Sequence, residues 1–164
     1  MHIHTPLGAF VLIIATGVAI ATIISSSVSA RDMWLLQETV SVASSGYEHT
    51  FVHIGHTVIV ADIADTEKKR ATGLSFKKTI SPDGGMLFIF PHEERYGIWM
   101  KDMSFPIDIL WISKNFHVVD INTNVSPDTY PETYYPSVPI LYALETSAGF
   151  VSKHNITIGD TLSW

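Results

Sequence analysis

Two hydrophobic patterns divide this chain. From Leu7 to Ile24 the sequence is almost continuously apolar, and Thr5–Ala30 carries no charged residue. Later segments alternate apolar and polar positions with period two, as strands do when successive side chains face opposite sides of a sheet. Thr50–Ile54 and Thr57–Asp62 form two such runs around Gly55-His56, a predicted hairpin. Asp65 or Thr66 offers an N-cap, Glu67 a first-turn acid and Gly73 a stop, which predicts a short helix through Lys68–Ala71. Leu74 and Phe76 should then pack the next turn against the sheet. Met86–Phe90 (MLFIF) is apolar at every position and predicts a buried strand after the Ser81–Gly85 turn cluster.

The centre of the pattern is YGIWMKDMSFPIDILWIS, Tyr96–Ser113. It predicts strands at Tyr96–Met100 and Ile107–Ser113, joined by a turn with Asp102, Ser104 and Pro106. Lys114-Asn115 then turns the chain into a strand over Phe116–Asn122. Ser126–Pro139 holds four prolines and three tyrosines and cannot be a central strand; such a long connection is often a binding edge. Ile140–Thr146 is the next strand, Ala148–His154 a short helix, and Ile156–Trp164 a closing strand. The expected arrangement is an α+β, mostly β domain, a meander of neighbouring antiparallel strands, preceded by an N-terminal hydrophobic helix.

That leader is long enough to span a bilayer, which takes about 20 residues. Val28-Ser29-Ala30 ahead of Arg31 also suits a signal peptidase, although Met1–Thr5 has no lysine or arginine. The expected organisation is a signal peptide or membrane anchor over 1–30, a linker and first weak strand over 31–49, and one globular domain over 50–164. The domain is expected outside the inner membrane. The absence of cysteine excludes disulfides and thiolate chemistry, and a net charge of −6 argues against nucleic acid as a partner.

Candidate chemistry follows from charges set among large apolar residues, since ionised groups are rarely buried unpaired. Lys101, Asp108 and Glu145 are such charges, and they are the expected polar contacts of a pocket walled by Trp99, Met86 and Tyr142. Asp108 and Glu145 could alternatively serve as an acid/base pair in a hydrolase, or the trio could be a structural salt bridge in a scaffold domain. No nucleophile elbow, HExxH or phosphate-binding glycine loop occurs. His49, His53 and His56 lie close in sequence but read as residues of an exposed strand, so no metal and no cofactor is assigned. Lys68, Lys69, Arg70, Lys77 and Lys78 read as a solvated basic face. The reading adopted is a non-catalytic envelope module binding a small polar ligand, such as a saccharide, with the membrane reached through the leader.

The runs VIVADIADTEKKRATGL, GGMLFIFP, IWMKDMSFPIDILWIS, YALETSAGF and IGDTL, over Val58–Leu162, resemble the uncharacterised domain of unknown function 192 family. Its Trp-Met-Lys-Asn and Pro-Leu-Asp-Ile signatures correspond to Trp99–Asp102 and Pro106–Ile109, with Asp102 in place of asparagine. Its leucine-glutamate and alanine-glycine pairs correspond to Leu144-Glu145 and Ala148-Gly149. The resemblance implies a compact domain with a curled, partly barrel-like sheet and one or two short helices. It implies no reaction.

Overall fold

A computed structural model describes residues 46–164, and the leader and most of the expected linker lie outside the described residues. Strands β1 (His49–Ile54) and β2 (Thr57–Ala64) form the expected hairpin, with Gly55 at φ 57 supplying the left-handed turn. Helix α1 (Glu67–Thr72) is capped by Thr66, whose hydroxyl accepts from the Lys69 N–H at 3.2 Å, and ends where Gly73 takes φ 52. β3 (Gly84–Glu94) follows, then β4 (Ile98–Trp99), β5 (Ile107–Ile112) and β6 (Val118–Val125). A single 3-10 turn (Pro127–Thr129), β7 (Thr133–Tyr134), β8 (Ile140–Ser147), α2 (Phe150–His154) and β9 (Leu162–Ser163) complete the chain.

The main sheet runs β6-β5-β8-β3-β2-β1-β9. It is mixed: β2 and β3 are parallel, joined through α1, and the other pairs are antiparallel. This corrects the expected meander. β8 inserts between β5 and β3, so strands far apart in sequence become neighbours. β4 does not pair with β5 as a hairpin; it pairs with β7 in a separate two-stranded ribbon. Pro106 and the Asp102 turn carry the chain away between them, and the proline-rich segment supplies the partner instead. The sheet curls into a half-barrel, and at its far edges Leu162 N–H donates to Phe116 O and Val118 N–H to Asp160 O, both at 2.8 Å.

The sheet has two apolar faces. One carries Leu87, Leu110, Ile112 and Leu144 against Phe150 and Val151 of α2. The other carries Met86, Phe88, Ile107, Ile109, Trp111 and Ala143 against Leu74 and Ile98. Strand β5 is buried at all six positions, which explains why its sequence is not alternating: both its faces are covered. Phe76, expected in the core, is exposed instead. Its backbone takes φ 65 and its N–H donates to Asp102 O, which turns the ring outward while Leu74 alone fills the core position.

Candidate functional site

Register decides which charges can meet. Asp62 on β2, Met86 on β3, Glu145 on β8, Ile109 on β5 and Asn122 on β6 are successive cross-strand partners, so their side chains share the α1 face. Asp62 is almost fully buried there but is held by His49 Nδ1 at 2.6 Å and Lys77 Nζ at 2.8 Å. Glu145 is 4% exposed and has no hydrogen bond or ion pair among the described residues. Burial alone pushes its carboxyl up to about 8, so it is mainly protonated at neutral pH.

Glu145 lies on the wall of a cavity of about 280 Å³. The cavity lies where α1 and its following turn cover the sheet, with β4 along one side. Leu74, Phe88, Phe90, Ile98, Met103 and Ile107 make it largely apolar. Arg70 and Glu67 of α1 also line it, and Trp99 stands at its edge, 52% exposed. The Trp99 indole meets Tyr130 edge-on at 6.1 Å, so the proline- and tyrosine-rich segment supplies part of the lip. Gly97 makes this close approach possible, because a Cβ there would come within 2.5 Å of Thr133 Cγ2.

Asp108 occupies the other face. It is fully buried opposite Thr146; its Oδ1 accepts from Asn124 N–H at 2.8 Å and its Oδ2 from Val151 N–H at 2.9 Å. Both donors need it. One extra residue bulges β6 between the Ile107–Val125 and Ile109–Asn122 pairs, and Asn124 lies in that bulge. α2 begins at Gly149, which has no side chain to cap the helix, so Asp108 caps it from the sheet.

The profile of DUF192, described as an uncharacterized ACR, matches residues 50–164. The chain belongs to the DUF192 family. A UPF0127 protein of Pyrococcus horikoshii is 34% identical over 107 residues, 62% of this chain and 84% of that one. A UPF0127 protein of Thermococcus sibiricus is 32% identical over 62% of this chain and 64% of its own length. A Novosphingobium aromaticivorans protein of unknown function superposes with a TM-score of 0.71 at 25% identity, over 74% of this chain and 89% of that one.

In this DUF192 domain the signature residues separate into different jobs. Trp99 and Lys101 are both exposed, with Lys101 Nζ 5.9 Å from the indole centroid, while the intervening Met100 is buried. Asp102 takes φ 57, a conformation that asparagine and aspartate tolerate best; the position is a backbone requirement that either residue meets. Lys101, Asp108 and Glu145 do not converge. Lys101 forms no ion pair among the described residues, and the two acids are on opposite sides of the sheet. Met86 sits beside Glu145, whereas Tyr142 lies on the Asp108 side, stacked on Phe116 at 5.4 Å. The sequence reading missed Arg70, Phe88, Phe90 and Ile107 as cavity residues. Glu67, Arg70, Ala71 and Leu74 have the three-and-four spacing of one helix face, the signal that separates Arg70 from the solvated lysines beside it.

Among the described residues no helix is long and apolar enough to cross a membrane. The Leu7–Ile24 run lies outside them.

Proposed function

We propose that this chain is a non-catalytic binding module whose ligand enters the Glu145 cavity. The observation that carries the reading is Glu145 itself: a nearly buried carboxyl with no partner among the described residues, on the wall of an apolar hollow. Its carboxyl oxygens have no protein partner among the described residues and are not sealed off, since the fully buried side-chain atoms without a partner are Thr146 Oγ1 and His154 Nε2. A ligand group entering the hollow can therefore reach and bond the carboxyl, and one convergent polar group among apolar walls is the common pattern of small-molecule sites.

The ligand that fits has an apolar body and few polar groups. A saccharide presents hydroxyls all round, and Leu74, Phe88, Phe90, Ile98, Met103 and Ile107 would leave most of them unpaired. Hydrolysis by Asp108 and Glu145 is disfavoured because no one substrate can touch side chains on both faces of a sheet. Asp108 supports the structural reading for its own part of the charge set. An export signal or anchor over residues 1–30, and with it an envelope location, belongs to the proposal and rests on the apolar leader.

The test is a thermal-shift and NMR screen of the full chain against small amphiphiles and saccharides, repeated on Ala71→Phe. Ala71 is exposed on the cavity edge, so a large side chain there occludes the hollow and leaves the core intact. Amphiphiles should stabilise the native chain and not the variant. Stabilisation that survives in Ala71→Phe, or none in the native chain, would overturn the reading.

A further inference from the structure

The cavity holds one fixed positive charge. Arg70 Nη1 donates to Asp65 O at 2.7 Å and Ile89 O at 2.9 Å, and its guanidinium lies 5.8 Å from the Phe90 ring centroid. These contacts pin the group in place, yet both acceptors are neutral carbonyls. No carboxylate comes within 4.0 Å of it among the described residues, although Lys69 next to it is paired with Asp65 at 2.8 Å. Among the described residues Nη2 and Nε donate to no protein acceptor.

The nearest anion is Asp65, whose carboxyl is held below its usual range mainly by its hydrogen bond to Lys69 and in smaller part by the charge of Arg70, but it lies in contact with Lys69 and not with Arg70. Burial pushes the Glu145 carboxyl up to about 8. Asp62, on the same face beyond Met86, is already taken by His49 and Lys77. Glu67 is at the exposed outer edge, where solvent screens it. A pinned guanidinium with no carboxylate in contact, its charge only partly offset by Asp65, can accept an anion from the cavity, and its planar fork matches a carboxylate bidentately. A phosphate head would need more donors than one guanidinium and one carboxylic acid provide.

We infer that the ligand is a small monocarboxylate with an apolar body, its carboxylate on Arg70 and its hydrocarbon against Leu74, Phe88, Phe90, Ile98 and Ile107. This rests on the cavity reading above. A charged Glu145 on the same cavity wall would repel the ligand. Binding should therefore weaken as pH rises through the range in which Glu145 ionises.

The test titrates the full chain with hexanoate, hexanol and hexylamine, reading the methyl resonances of Ile98, Met103 and Ile107. Hexanoate should bind at least about tenfold more tightly than hexanol, a gap of about 1.4 kcal/mol, with hexylamine weakest. Its affinity should fall between about pH 7 and pH 9, and Glu145→Gln should remove that fall. Arg70→Gln should abolish the preference for hexanoate while hexanol still binds. Equal binding of hexanoate and hexanol, or tighter binding of the amine, would overturn the carboxylate inference and leave the cavity reading standing. Should Arg70→Gln fail to fold, the order of hexanoate, hexanol and hexylamine on the native chain decides. Failure of all three probes to move those methyls would overturn the cavity reading itself.

Discussion

Asp108 and Glu145 sit on adjacent strands one register step apart, and that single step sends their carboxyl groups to opposite faces of the sheet. Asp108 is opposite Thr146, and Glu145 is opposite Ile109. Two acids that look equivalent in sequence are thereby given unlike environments. Asp108 meets two backbone N–H groups, and Glu145 meets hydrocarbon and a hollow. The first is a brace and the second a free hydrogen-bonding group.

Asp108→Asn should destabilise the fold. An amide has one acceptor oxygen where the carboxylate has two, so its NH2 group must face either the Asn124 or the Val151 N–H. A buried donor left without an acceptor costs about 1–3 kcal/mol. The urea midpoint should drop by a corresponding amount. Hydrogen exchange should quicken first at Val151, because α2 loses the side-chain acceptor at its N-terminus. An unchanged midpoint would contradict the bracing role.

Gly85 lets β3 and β8 approach beside Glu145. A Cβ at this position would come within 2.6 Å of the Glu145 carbonyl oxygen and 3.3 Å of Ile59 Cγ2, both fixed parts of the sheet. Gly85→Ala should therefore cost at least about 2 kcal/mol, in the range of overpacked cores. Gly149→Ala meets nothing within 4 Å and should cost less, its penalty coming only from φ 85. Chemical denaturation of the two variants side by side ranks them, and the reverse order would refute the steric argument.

Trp99→Ala should separate binding from stability. The indole is half exposed and touches Tyr130 and the Lys101 side chain, contacts at the rim and not in the core. Removing it should change stability by no more than about 1 kcal/mol, while weakening any ligand that fills the cavity severalfold. The comparison needs the melting temperature with and without hexanoate. A large loss of stability in the absence of ligand would make Trp99 a core residue and not a lip.

Much of the fold is legible along the chain, and the failures have physical causes. The β1–β2 hairpin and the capped α1 depend on residues within a few positions of one another, so Gly55, Thr66 and Gly73 announce them. The insertion of β8 between β5 and β3 depends on which strand edges are left free after folding, and no local residue encodes that. The same holds for the site. Glu145 stands out as a charge among apolar neighbours. Its separation from Asp108 follows from inter-strand register, and Arg70 becomes a cavity residue only once α1 has been laid over Phe88 and Phe90. Trp99 and Met100 show the period-two rule at work, one exposed and one buried. Phe76 shows its limit, since a positive φ overrides hydrophobicity.

Glu145 should also make the stability of the ligand-free chain depend on pH. Its carboxyl titrates near 8 in the folded chain, against 4.5 for an ordinary glutamate. Below 4.5 both folded and unfolded chains carry the proton, and this group adds no pH dependence. Between 4.5 and 8 the unfolded chain has released it and the folded chain has not, so folding takes up a proton and stability falls as pH rises. The slope from this group is at most about 1.4 kcal/mol per pH unit. Above 8 the folded chain also ionises and the slope vanishes, with the charged group left at its least favourable. Glu145→Gln has the same shape and no proton to lose, so its urea midpoint should be less sensitive to pH over this window and should exceed that of the native chain at pH 8 and above. Denaturation of both chains at several pH values between 5 and 9 measures the difference directly. Parallel profiles would mean that Glu145 is hydrated or paired in solution, and the free carboxyl on which the binding site rests would be lost with it.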